Sequence, residues 1–198
     1  MRTIVHLVRH GVHDQLQGRL CGRTPGVRMG AAGRAQAAAV GRRLAGAGVR
    51  LVCTSPLERT RQTAEAVAAA CGAPLAEDEA LLEIDFGAWS GLPFGELDGD
   101  PHWREWNARR DEVRAPGGET MDEVGARLER WLRGLPGDAG VVVGVSHGDV
   151  IKAAVGLATG LSMRAHHRFE ISPGSITTLS VGDDGDLKLQ TMNEVPHG

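Results

Sequence analysis

Two histidines in this chain stand in matched settings: Val8-Arg9-His10-Gly11 near the start, and Val145-Ser146-His147-Gly148 far downstream. Each closes an apolar run, and each is followed by a glycine that lets other backbone approach closely. In an open α/β sheet, ligands bind outside the carboxyl ends of the strands, so both rings would be delivered to one crevice. Arg9 adds a cation beside the first. A second cation, Arg59, falls in the opening turns of a helix predicted over 55–71. The dipole and free N–H groups of a helix start disfavour positive charge there, so an arginine needs an external anion or a turn outward into water, and Arg59 is read as meeting an anion. Arg61 shares that location, and its spacing leaves open whether it meets an anion or water. Two guanidinium forks converging on two imidazoles suit the three equatorial oxygens of a phosphoryl group in transfer.

The elements that must deliver these groups follow from the patterning. Residues 4–8 form a β-branched apolar run fit for a strand buried on both faces. Residues 12–29 lack periodicity and read as a long loop, a feature often tied to function. A helix is expected over 30–47 and a strand over 50–54. Ser55 and Pro56 would then serve as N-cap and first residue of the helix carrying Arg59. Residues 81–118, rich in Gly and Pro and holding Trp103 and Trp106, break this rhythm and read as an insertion with one or two short helices, cap-like over about 84–115. An amphipathic helix over 119–133, the most apolar strand over 140–145 and a helix to about 158 follow. The tail alternates over 175–181 and 187–192 as a hairpin on the edge side of the sheet. Such alternation implies an α/β domain with a largely parallel sheet, one domain over 1–198.

Composition bounds the function. The chain has 198 residues, 41% of them apolar, and a formal net charge of −3, which argues against a surface that seeks nucleic acid. Cys21, Cys53 and Cys71 are widely spaced and form no CxxC pair, as expected of reduced thiols in a cytoplasmic protein. No apolar run approaches the length that crosses a bilayer, and the first residues run into a strand without signal-peptide architecture, so no membrane partner is expected. A homodimer is compatible with the sequence.

Five segments taken together carry a more specific signal: Arg9-His10-Gly11, the run 55–64, the run 82–91, Pro116-Gly117-Gly118-Glu119-Thr120 and Ser146-His147-Gly148. In that order, over about residues 3–158, they resemble the histidine phosphatase superfamily in its phosphoglycerate-mutase-like branch. The resemblance implies a three-layer α/β/α sandwich with a mixed, mostly parallel sheet. It implies that His10 is the nucleophile that becomes phosphohistidine, that Arg9, Arg59 and His147 form the phosphate pocket, and that Glu83 is the proton donor. Chemistry agrees: an imidazole attacks phosphorus only when neutral, and nearby cations disfavour its protonation. A sheltered carboxyl can hold a proton for the leaving alkoxide, a role for which Asp85 is the weaker candidate.

Departures from the family pattern bear on the substrate. Relatives usually follow Arg-His-Gly with Glu or Gln and then Thr or Ser, where this chain has Val12-His13, so His13 or Gln15 would supply the polar contact. Leu20-Cys21-Gly22 resembles the loop whose backbone N–H groups reach the phosphate, which makes Cys21, Gly22 and Gly148 further substrate-binding candidates. Arg23 stands where tryptophan is common. Arg104, Arg109, Arg110 and Arg114 alternate with acids and read as a solvated helix face, His166-His167 as a surface pair, and Trp103 and Trp106 as anchors of the insertion. A metal site on His10, His13 and His147 fits poorly, because Arg9 would repel the cation and no carboxylate-rich set accompanies them. The expected activity is metal-independent and cofactor-free hydrolysis of a small phosphate ester. A mutase-type phosphotransfer and a non-catalytic phospho-ligand binder are the alternatives.

Overall fold

The computed structural model describes residues 2–16, 18–136 and 138–197. A six-stranded sheet in the order β3-β2-β4-β1-β5-β6 organises them. Its strands are β1 (Arg2–Arg9), β2 (Val49–Thr54), β3 (Leu75–Glu77), β4 (Val141–Ser146), β5 (Ile176–Gly182) and β6 (Leu187–Glu194). The first four run parallel, while β5 pairs antiparallel with β1 and β6 pairs antiparallel with β5 at the edge. Helices α1 (Ala31–Leu44) and α2 (Glu58–Cys71) share one apolar cluster with Val8, Val52, Val143 and Val145 of the sheet. Helices α5 (Met121–Arg133) and α6 (Gly148–Thr159) pack in a second cluster with Val5, Leu7 and Val142. Neighbouring residues of one strand thus feed opposite clusters, as pleating requires, and the sheet lies between two helical layers. This is the mixed, mostly parallel α/β/α arrangement expected.

The segment between β3 and α5 holds two short helices, α3 (Phe94–Leu97) and α4 (Pro101–Ala108), plus single 3₁₀ turns at Glu79–Leu81 and Gly87–Trp89. Trp103 and Trp106 stack with ring centroids 5.2 Å apart, and Trp89 and Phe86 meet Trp106 edge-on. These rings continue the cluster under α5 and α6, so the aromatic residues root the segment in the core.

Two local expectations are corrected, and one strand is added. Ser55 and Pro56 do not open α2: the helix begins at Glu58 after an extended Leu57, because the Ser55 side chain is turned inward and fully buried. Strand β3 falls where the sequence carries no strand pattern; its three residues are exposed and are ordered by pairing with β2. His166 is buried at 8% exposure, its Nδ1 3.1 Å from the Met163 carbonyl, while its neighbour His167 is exposed. A 3₁₀ turn at Met163–Arg168 directs the two rings differently.

Candidate active site

Register between parallel neighbours builds the centre. Arg9 on β1 pairs with Ser146 on β4, so His10 and His147 leave the sheet side by side, with ring centroids 5.2 Å apart. Gly11 is required by close packing rather than by ligand approach, since a Cβ there would lie 2.4 Å from the Gly33 carbonyl oxygen of α1. Gly148 likewise leaves room for Arg9, whose guanidinium carbon would sit 3.3 Å from a Cβ at that position.

Hydrogen-bond partners fix the tautomers. His10 Nδ1 lies 2.9 Å from the Gly11 carbonyl, which can only accept, so Nδ1 carries the proton and Nε2 keeps its lone pair. That Nε2 receives the Arg59 Nε–H at 3.4 Å. Arg59 Nη2 donates to the Gly22 carbonyl at 2.7 Å and to His147 Nδ1 at 3.2 Å. His147 therefore protonates Nε2, which donates to Ser55 Oγ at 3.0 Å. Arg9 Nη1 donates to the Ile171 carbonyl, whereas Arg9 Nε and Arg59 Nη1 are buried without a partner, donors available to an anion. Burial first, then the Arg59 charge, holds both histidines well below the ordinary imidazole pKa, with Arg9 adding to the effect.

Glu83 faces this group from the opposite wall. Its Oε2 lies 3.9 Å from His147 Nδ1 and its Oε1 accepts the Ile84 N–H at 3.0 Å. Burial, reinforced by the Asp149 carboxylate, raises its pKa to about 7 against the opposing pull of Arg59. Asp149 is itself held by Arg110, 3.0 Å away, whose guanidinium also lies 4.1 Å over the Trp106 ring. Arg110 is thus turned inward, unlike the solvated face expected of it; Arg109 and Arg114 do form surface ion pairs.

A cavity of about 270 Å³ opens over these groups. Arg9, His10, His13, Cys21, Gly22, Arg59, Glu83 and Gly148 all line it, as do Asp149 and Lys152, with Leu16, Leu20, Phe86 and Phe94 supplying apolar surface. His147 is fully buried and sits behind this lining, touching it through Arg59 and the His10 ring. The His13 ring lies 5.5 Å from that of His10, and its Nδ1 is buried without a partner. Burial, then the Arg59 and Arg9 charges, lowers its pKa to about 4. Arg61 pairs with Glu77 at the surface, 3.1 Å away. Asp85 does not line the cavity: it accepts the Gly87 N–H at 2.8 Å and lies 3.6 Å from Arg23 Nη1. Among the described residues, no group of three or more His, Cys, Asp or Glu side chains is arranged to hold a metal ion. Ser55, Asp149 and Arg110 were missed in the sequence: Ser-Pro reads as a helix cap, and the link between residues 110 and 149 leaves no local pattern.

The comparisons agree with this geometry. The family model described as histidine phosphatase superfamily (branch 1) matches residues 5–195. The chain is 32% identical over 197 residues to a bifunctional protein of Mycobacterium tuberculosis, covering 97% of this chain and 54% of that one. It therefore spans about half the length of that relative. It is 31% identical over 204 residues to the probable phosphoglycerate mutase GpmB of Salmonella newport, covering 98% and 94% of the two. The solved structure of a phosphoserine phosphatase from Entamoeba histolytica in complex with 3-phosphoglyceric acid superposes with a TM-score of 0.85 at 26% identity, over 97% of each chain. Motif order, sheet topology and the family match over nearly the whole length agree: the chain belongs to the histidine phosphatase superfamily, branch 1.

Proposed function

We propose that this protein hydrolyses a small phosphomonoester through a phosphohistidine intermediate on His10, without a metal cofactor. The observation that carries the reading is the His10 tautomer: with Nδ1–H bound to the Gly11 carbonyl, Nε2 keeps its lone pair, which meets the Arg59 Nε–H beside the cavity that His10 lines with Arg9, Arg59 and Glu83. The phosphoryl oxygens would take the unpartnered N–H groups of Arg9 and Arg59, with His13 supplying a further polar contact. The buried guanidiniums provide the positive charge that transfer requires.

In the first step Nε2 bonds to phosphorus as the bond to the ester oxygen breaks, and protonated Glu83 gives its proton to the departing alkoxide. In the second step water attacks phosphorus, the Glu83 carboxylate accepts its proton, and the P–N bond breaks to restore His10. A carboxyl with a pKa of about 7 is present in both forms near neutrality, which suits it to this alternation. His147 holds Arg59 in the free site through its Nδ1 lone pair, while its Nε2–H rests on Ser55 Oγ.

A mutase-type transfer is the second reading, favoured by the likeness to the probable phosphoglycerate mutase. Phosphate release from an aryl phosphate separates the two. The hydrolase reading expects release that persists in chelator and disappears in His10→Ala. Loss of activity in chelator would overturn the metal-free mechanism. Phosphate transfer without release, dependent on bisphosphoglycerate priming, would identify a mutase.

A further inference from the structure

We propose that Arg23, Glu119 and Arg127 act as positioning residues, forming a charged brace that fixes the main chain of Glu83 so that its carboxyl is held at the ester oxygen. The inference rests on the reading of Glu83 as the general acid. Glu83 lies between two single 3₁₀ turns, so neither a helix nor a strand sets its backbone. Side chains do so instead. Its carbonyl oxygen accepts from Arg23 Nε at 2.8 Å and from Arg127 Nη2 at 3.3 Å. Arg127 also binds the carbonyls of Ala80 and Leu82, each at 2.6 Å. The Glu119 carboxylate locks the two guanidiniums together, accepting from Arg23 Nη2 at 2.8 Å and Arg127 Nε at 3.2 Å. It also accepts the Asp85 N–H at 3.0 Å.

Backbone on both sides of Glu83 is therefore pinned by three side chains from two other parts of the chain. Arg23 comes from the long loop that lines the cavity, while Glu119 lies just before α5 and Arg127 within it. The forks grip carbonyls and leave the Glu83 carboxyl free, so the brace can place the acid without touching the reacting atoms. Arg23 also follows Gly22, whose carbonyl holds Arg59, so one residue ties the acid to the phosphate clamp. A general acid must stand within hydrogen-bond reach of the oxygen it protonates, and displacement of a catalytic group by about 1 Å costs about 100-fold in rate. The Arg23 substitution at the position where relatives often carry tryptophan thereby acquires a purpose.

Arg23→Met, Arg127→Met and Glu83→Gln in the full chain, each assayed on an alkyl phosphate and on p-nitrophenyl phosphate, test the brace. The alkyl ester needs the proton and the activated aryl ester does not. Arg23→Met should lower kcat on the alkyl phosphate about tenfold while KM on both esters and kcat on the aryl ester stay within about twofold. Arg127→Met should follow the same pattern more severely. Arg127 has only 13% side-chain exposure and its loss could prevent folding, so Arg23, at 29% exposure, is the deciding site. Equal losses on both esters, or no loss, in Arg23→Met would overturn the brace while an ester-dependent loss in Glu83→Gln left the acid assignment standing. Equal losses on both esters in Glu83→Gln would remove the acid assignment, and the brace with it.

Discussion

The two halves of the cavity are held by different means. Arg9, His10 and His147 stand at the ends of adjacent parallel strands, and their mutual placement is set by ladder hydrogen bonds and one register, Arg9 opposite Ser146. Glu83, His13, Cys21 and Gly22 sit on irregular backbone, where side-chain forks and carboxylates replace the ladder. A sheet register slips only in whole residues and at the expense of every core contact on the strand. A loop can shift by fractions of an ångström. In the proposed mechanism the nucleophile therefore rests on the rigid half, and the proton donor, with the loop contacts to phosphate, on the adjustable half.

Substitutions can break this contrast, and the largest effect is expected at the joint between the halves. Arg59 bonds to His10 and His147 on one side and to Gly22 on the other, and its side chain is buried. Arg59→Lys keeps the charge but cannot fork, and should lower kcat/KM about 100- to 1,000-fold on alkyl and aryl phosphates alike, with folding monitored by circular dichroism. A loss confined to the alkyl ester would mean that Arg59 belongs to the proton side. Glu83→Gln should cost about 100-fold on an alkyl phosphate and only a few-fold on an aryl one.

The pH dependence sharpens the same contrast. In the proposed mechanism Glu83 donates only when protonated, and its pKa is raised to about 7, so kcat/KM for an alkyl phosphate should fall as pH rises through about 7. With an aryl phosphate that limb should flatten, because the proton is not needed. His10 and His147 are held well below 6.5, so both remain neutral across this range and contribute no rising limb near pH 6.5. A rising limb at that pH on both esters would contradict their burial. The smallest effect is expected of Ser55→Ala, which removes one hydrogen bond from His147 and should lower kcat/KM about fivefold on both esters.

Legibility in the sequence divides along the same line. Strand ends could be read because an apolar run stops where its chemistry begins, and Val-Arg-His-Gly and Val-Ser-His-Gly carry their positions with them. Glu83 is reached through the motif order, since nothing in the spacing of an irregular segment says which carboxyl turns inward; Asp85, two residues on, takes the Gly87 N–H, lies beside Arg23 and does not line the cavity. Distant contacts that do not fall at matched strand ends leave no signal. The Arg110 ion pair with Asp149 spans 39 residues, and the Ser55 contact with His147 spans 92. Ser55-Pro56 even carried a false signal, because a serine that is buried to hold a histidine has the same local sequence as one that caps a helix.

Trapping of the covalent intermediate tests the central claim most directly. When turnover of a phosphate ester is quenched in alkali and the protein digested for mass spectrometry, the account predicts a phosphoryl group on the imidazole of His10, stable in base, lost in acid and absent from His10→Ala. Phosphate release by His10→Ala at the unsubstituted rate, or a phosphoryl group on any residue other than His10, would contradict it.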